Sequence, residues 1–472
     1  MTRRGTARKT LQVTSPPKPL AKTPKKAQMC RSPNIDKQPA KSVYTMTSRD
    51  FQSDTNAHVE VIAENLKDFC CINFFQAAIM HNKHLFRGRT VLDIGCGVGI
   101  LSLFAAKAGA AHVYAVDSSN VLDYTEQIVR DNGYVDVIHV IKGSLENIVL
   151  PVEEVDIIIC NWLGYSMLFQ AACNSVIYAR DKWLKKDNGI ILPDVAKLFM
   201  AAIEDNKRKN ERVEWWNDVY GVNMKCVRDF ALSEPSFQLV EPKQLMSTQF
   251  GVKYLNMYTA TKKDLQFRCK YMLEMQRGGH MDGIVTYFHV FFSKSHTPMG
   301  FSTDPSVWRT HWMQTVFFFD KSVYVKAGEL YYGGIEMCSV GDGCNLNNME
   351  LSLEMFSGDP SQLQLEAEMR WKMKPHAAII NDRILEKSET IAEKSDASVK
   401  NKIAKDEKEK QHVDTKILLA PKKNDCSPKE SIAKTVKEYS VTNVPTSVEI
   451  GNYSYPCNVV KRNKKVKNSK KG

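Results

Sequence analysis

The sequence has no uninterrupted apolar run of the roughly 18 residues that a membrane-spanning helix needs. Its amino terminus is polar and lacks the apolar core of a secretory leader. No membrane partner and no secreted location are therefore expected. Twelve cysteines are present, yet they form no Cys-x-x-Cys pair and no histidine cluster accompanies them. Zinc-ligand spacing is absent, so no metal is expected, and free thiols in a reducing compartment account for the cysteines. Base exceeds acid at both ends. Residues 1–50 carry +10 and residues 375–472 carry +8, which leaves −6 for the segment between, since the whole chain is +12. The reading is a slightly acidic body with two basic tails.

What is present centres on Val91-Leu92-Asp93-Ile94-Gly95-Cys96-Gly97-Val98-Gly99. A buried strand runs into a glycine turn and then a helix through Leu103 to Ala108. Gly95, Gly97 and Gly99 lack the Cβ that would keep a ligand from the backbone. Eighteen residues past Gly99, the apolar strand Val113–Val116 ends in Asp117, an acid suited to the two hydroxyls of a ribose. Strand, glycine turn, helix, strand and acid in that order point to a nucleoside-binding half. The spacing is shorter than the Gly-x-Gly-x-x-Gly that seats a pyrophosphate. It resembles that of S-adenosylmethionine methyltransferases, in which an acid such as Asp93 stands near a ligand ammonium.

Around this centre the chain divides into four. Residues 1–45 lack the apolar density for a core and read as a disordered basic tail. Residues 46–193 read as the cofactor-binding half. A helix starting near Ser53–Asn56 carries Val59, Ile62 and Leu66, and a second helix spans Ile72 to Met80. Near-continuous apolar runs follow at Ile138–Ile141, Val155–Cys160 and Ile190–Pro193, as in a parallel sheet covered on both faces. Residues 194–374 change period. Leu198–Ile203, Gly283–Phe292 and Thr315–Phe319 read as strands of an antiparallel barrel or sandwich. A polar helical insert near 205–222, with Trp215-Trp216 and Val219-Tyr220, either docks on another subunit or packs on its own barrel. Residues 375–472 read as a charged, mostly disordered tail with weak helical periodicity over 379–410. The basic cluster Lys461-Arg462-Asn463-Lys464-Lys465-Val466-Lys467 fits nuclear import or nucleic-acid contact through the tail alone.

Further landmarks span both halves: Ala179-Arg180-Asp181-Lys182-Trp183, Glu241-Pro242-Lys243-Gln244-Leu245, Gly300-Phe301-Ser302-Thr303 and Thr310-His311-Trp312. With the glycine turn they make residues 46–371 resemble a type I protein arginine methyltransferase. The resemblance implies an α/β fold: a Rossmann-like S-adenosylmethionine half, then an antiparallel β-barrel with a helical dimerisation arm. It also implies a homodimer, basic protein substrates such as histones or Arg/Gly-rich proteins, and a location in nucleus and cytoplasm.

Guanidinium is planar, cationic and a poor nucleophile, with a pKa above about 12. Two carboxylates gripping its fork orient it and concentrate electron density on one nitrogen. The family carries both on the loop after the fourth strand. Here the loop reads Asn161-Trp162-Leu163-Gly164-Tyr165-Ser166-Met167-Leu168-Phe169-Gln170, so both acids are amides. Asn161 and Gln170 thus fall at the catalytic positions, and Asp68 with His311 match the family's proton-relay pair. Asp93, Gly95, Gly97, Gly99, Asp117 and Glu146 match its cofactor contacts. The family's lid tyrosines fall on Gln52 and Asn56, its cofactor histidine on Ile62, and its carboxylate-binding arginine on Cys71. Two versions follow: slow or specialised transfer, or a non-enzymatic relative that dimerises and presents its basic tails to partners.

Overall fold

Five short apolar strands pair in parallel in the order β3-β2-β1-β4-β5. They are β1 (Thr90–Ile94), β2 (His112–Asp117), β3 (Ile138–Lys142), β4 (Ile157–Cys160) and β5 (Ile190–Leu192). Central β4 is buried at every position, as a strand covered on both faces must be. The order reverses beside β1, and a parallel sheet binds ligands outside the carboxyl ends at such a reversal. The computed structural model describes residues 42–297, 299–341, 343–358 and 364–373, with strands 447–450 and 453–456. Most of both basic tails, including the 379–410 periodicity and the 461–467 cluster, lies outside these residues.

Structure starts earlier than the sequence suggests. Val43–Thr45 forms a 3-10 turn held by Asp123, whose carboxylate accepts from Val43 N at 2.7 Å and Ser42 Oγ at 2.8 Å. Helices α1 (Ser48–Ser53), α2 (Val59–Leu66), α3 (Phe69–His81) and α4 (Lys83–Phe86) precede the sheet. Ser53–Asn56 is where α1 ends and a short 3-10 turn begins, so the helix read as starting there begins at Val59. Val59 and Leu66 stay exposed: α2 lies over a cleft, not on the core. In contrast, α3 is apolar on several faces because it packs on both halves. Phe75, Ala78 and Ile79 are buried, and Phe74 meets Phe301 of the second half at 5.2 Å. Helices α5 (Ile100–Lys107), α6 (Leu122–Asp131) and α7 (Cys173–Trp183) complete the layers.

The second half holds two antiparallel sheets. One joins β7 (Ser236–Gln238), β12 (Gln314–Val325), β10 (Gly279–Phe292), β6 (Val195–Ile203) and β8 (Phe250–Asn256) in that order, with β11 (Met299–Ser302) on β10. The other joins β15 (Gln364–Met373), β14 (Met349–Ser357), β13 (Leu330–Ser339) and β9 (Phe267–Glu274). Ile284, Phe288, Phe317 and Phe319 belong with Ile335, Leu351 and Trp371 to one apolar core that continues into the first half. A separate pair, β16 (Ser447–Ile450) with β17 (Tyr453–Pro456), lies in the stretch read as a mostly disordered tail. Its alternating Val448, Ile450, Tyr453 and Tyr455 flank Gly451-Asn452, a strand–turn–strand pattern that charge counting obscured.

The polar insert runs longer than 205–222. Helix α8 (Asn206–Arg212), a 3-10 turn at Glu214–Asn217 and α9 (Lys225–Leu232) form it. Its base packs on its own sheet, with Val213 and Leu232 against Val285, Val316 and Phe318. Arg228 reaches Glu214 at 2.9 Å and Asp320 at 2.8 Å. Of the two tryptophans, only Trp215 is exposed. Trp216 is half-buried and donates from Nε1 to Arg212 O at 3.1 Å. Tyr220, however, is 97% exposed. Among the described residues, no helix is long and apolar enough to cross a membrane, and no group of three or more His, Cys, Asp or Glu is arranged to hold a metal.

Candidate active site

A cleft of about 580 Å³ opens at the carboxyl ends of the parallel strands. The end of β1 supplies Gly95 and Gly97, the end of β2 Asp117, the segment after β3 Glu146, and the segment after β4 Asn161. The glycine turn is sterically specified. Gly95, Gly97 and Gly99 have φ of 67°, 52° and 81°, the left-handed region that side chains avoid. A Cβ on Gly95 or Gly97 would enter open space, so the backbone there faces the cleft. Asp117 is tied back to the turn: Oδ2 accepts from Gly97 N at 3.0 Å and Oδ1 from Ser119 N at 2.9 Å. Thr125 Oγ1 donates to Gly97 O, a contact that sequence reading missed because one polar residue on α6 carries no signal.

Asp93 stands behind this wall, fully buried at the end of β1. Its Oδ2 accepts from Ser102 Oγ at 2.6 Å, and its Oδ1 has no hydrogen-bond partner. Burial pushes the Asp93 carboxyl up to about 7, partly offset by its bonds to Ser102. Asp93 does not itself line the cleft, but its orphaned acceptor sits directly behind cleft-lining Ile94 and Gly95, where it fits a ligand ammonium. A raised acid holds its proton in the folded chain through the window from about 4 to 7, so Asp93 destabilises the empty fold progressively as pH rises across that window. A cationic ligand favours the ionised form. Affinity for an ammonium-bearing nucleoside is therefore expected to rise from pH 6 to 8 with proton release on binding, and Asp93→Asn to abolish both. Calorimetry in buffers of different ionisation enthalpy measures this.

The lid positions divide. Asn56, Ile62 and Cys71 line the cleft, whereas Gln52 on α1 is exposed and does not. The lid is fastened beyond β2, where Asp54 Oδ2 accepts from Asn120 N at 2.7 Å and Nδ2 at 2.9 Å. Cys71 is buried, and burial, with Asp68 and Cys70 adding to it, pushes its thiol well up and keeps it neutral. Asp68 performs two tasks. Its Oδ1 caps α3 by accepting from Cys71 N at 3.0 Å, while Oδ2 accepts from His311 N at 2.8 Å and meets His311 Nδ1 at 2.7 Å. His311 packs on Trp312 with ring centroids 3.7 Å apart, and both line the cleft.

The loop after β4 closes the opposite wall. Trp162 is fully buried and donates from Nε1 to Pro193 O at 2.8 Å. Ser166 and Ser166's neighbours bend sharply: Ser166, Met167 and Gln170 have φ of 46°, 69° and 61°. Such backbone costs free energy in non-glycine residues and persists only where surroundings enforce it. Here Ser166 Oγ meets Thr286 Oγ1 at 2.8 Å, Tyr165 packs on Phe237 at 4.4 Å, and Gln170 N donates to Leu346 O at 2.8 Å. Three strands or loops of the second half thus hold the loop in shape, with Asn161 and Gln170 exposed to the cleft. Sequence reading missed Thr286 and Leu346, whose partners are more than a hundred residues away.

A parallel sheet of this order, with a glycine turn after its first strand and an acid ending its second, defines a Rossmann-like methyltransferase, here joined to an antiparallel β domain. Residues 194–357 match the family model described as the arginine methyltransferase oligomerization subdomain, and residues 70–175 match that of ribosomal protein L11 methyltransferase (PrmA). The chain is 44% identical over 290 residues to protein arginine N-methyltransferase 8-B of Danio rerio, covering 61% of this chain and 69% of that one. It is 40% identical over 327 residues to protein arginine N-methyltransferase 1 of Chlamydomonas reinhardtii, covering 69% and 94%. A solved structure, the Trypanosoma brucei PRMT1 enzyme–prozyme heterotetrameric complex with AdoHcy, shares 31% identity with a TM-score of 0.64, over 68% of this chain and all of that one. The chain belongs to the type I protein arginine methyltransferase family.

Proposed function

We propose that this protein binds S-adenosylmethionine and retains the housing for methylating arginine in basic proteins, such as histones or Arg/Gly-rich proteins, with transfer strongly impaired. The observation that carries the reading is the neutrality of Asn161 and Gln170 in the cleft that also holds His311 and the glycine turn. The donor set suits the cofactor: open backbone at Gly95 and Gly97, a ribose acid at Asp117, and an orphaned Asp93 oxygen for the ammonium. When bound, that cofactor supplies an electrophilic methyl on its sulfonium. Arginine must then present a nitrogen in line. An amide oxygen accepts a hydrogen bond but brings no negative charge, and the amide NH2 opposes the guanidinium's own donors. Asp68 fixes the His311 ring, so a base remains positioned while the grip on the fork is weakened.

The alternative is a catalytically inactive relative that acts as a dimerising partner. Trp215, Tyr220, Val222 and Phe230 are each exposed on the insert, and large apolar side chains left in solvent on one element favour an assembly role. The Trypanosoma brucei relative's complex pairs an enzyme with a prozyme, which is consistent with such a role. Trp215→Ser with Tyr220→Ser is expected to leave a folded monomer by sedimentation velocity; an unchanged assembly would remove the insert from the interface. The purified chain with radiolabelled cofactor and mixed histones tests the main reading. Methylarginine at least about a hundredfold below that made by an active relative is expected, and matching yields would overturn it.

A further inference from the structure

The cleft's charge is one-sided. Glu64, Asp117 and Glu146 line it, and no lysine or arginine does so among the described residues. S-adenosylmethionine brings a sulfonium, an ammonium and a carboxylate, and the carboxylate is the group without a counterpart. Cys71, where the family resemblance places an arginine for it, is a buried neutral thiol whose N–H is given to Asp68. Backbone donors nearby are also committed. Gly95 N and Cys96 N donate to Val116 O, Gly97 N to Asp117, and Gly99 N to Cys96 O. The first turn of α5 is already met by a carboxyl group, since Asp93 Oδ2 accepts from the Ser102 hydroxyl. A ligand carboxylate entering this cleft meets like charge and no lysine or arginine; the side-chain donors include Asn65, Asn161 and His311, whose ring is already engaged by Asp68.

We propose that the cleft selects S-adenosyl ligands by tail charge, preferring a sulfonium whose tail ends in an amine without a carboxylate. The inference rests on the reading that this cleft is the S-adenosyl site. The probes are decarboxylated S-adenosylmethionine, S-adenosylmethionine and S-adenosylhomocysteine, which carry net charges of about +2, +1 and 0 at neutral pH. Calorimetry on the full chain at low salt is expected to rank them in that order, with about tenfold between successive ligands. The gaps should narrow at high salt, because screening weakens attraction between the ligand and the exposed Glu146.

Two variants sharpen the result. Cys71→Arg is expected to reverse the preference between the first two ligands. Because Cys71 is buried, Glu146→Gln serves as the milder companion, narrowing the preference about twofold to threefold without touching the core. Equal or tighter binding of S-adenosylmethionine than of its decarboxylated form overturns the proposal. So does tightest binding of S-adenosylhomocysteine, and in either case the S-adenosyl site itself stands. Adenosine serves as the tail-free control. If none of the four ligands binds, the cofactor reading falls and the proposal falls with it.

Discussion

Asn161→Glu combined with Gln170→Glu is expected to raise methyl transfer to an arginine peptide by about a hundredfold over the unaltered chain, and each change alone by about tenfold or less. Charge-assisted hydrogen bonds from guanidinium to carboxylate are roughly twice as strong as neutral ones, and they strengthen as charge shifts in the transition state. Both positions are exposed in the open cleft, so solvent screening discounts the gain below that of a buried pair. About 1.4 kcal/mol per restored acid corresponds to the tenfold steps. The loop needs no rebuilding, because its bent backbone is already held by Thr286, Phe237 and Leu346. Rates of methylarginine formation at saturating cofactor decide the matter. No gain in the double variant would place the defect at the lid, where Gln52, Asn56 and Cys71 replace the family's residues, and adding Cys71→Arg would then be the informative third change.

Asp68→Ala carries the largest expected effect on stability, about 3 kcal/mol. Loss of a helix cap costs about 1 kcal/mol, and leaving buried donors unsatisfied costs about 1–3 kcal/mol more. Cys71 N and the His311 N–H groups lose their acceptor together, and the side chain that joins α3 to the segment before β12 disappears. His311→Ala should cost less, because the cap on α3 survives it. Denaturant titration of the three proteins measures the difference. A loss under about 0.5 kcal/mol for Asp68→Ala would show that this junction does not tie the halves together.

Much of the first half was legible because its strands are nearly unbroken apolar runs, and because the glycine spacing carries steric information that no other residue type satisfies. Asp117, Glu146 and Asn161 each follow a strand, so their convergence on one cleft follows from a parallel sheet. The second half was read less completely. β13 contains Gly333, where a Cβ would lie 1.8 Å from Glu354 O, so close approach of β14 selects a residue with poor strand preference. β15 buries only Trp371 and Met373 of its ten residues, which leaves little apolar pattern to find. The insert was visible as polar and helical, yet its anchoring depends on Arg228 of α9 meeting Asp320 of β12, 92 residues away. The sharing of Asp68 between a helix cap and His311 is likewise a product of tertiary packing.

On the proposed function, cofactor binding and methyl transfer are separated in this chain. The direct measurement is a single-turnover reaction: excess protein is loaded with methyl-labelled S-adenosylmethionine, mixed with an arginine-rich peptide, quenched and divided into bound cofactor and methylarginine. Stoichiometric cofactor on the protein and almost no label on the peptide are expected. Rapid, complete passage of the label to arginine would contradict that separation.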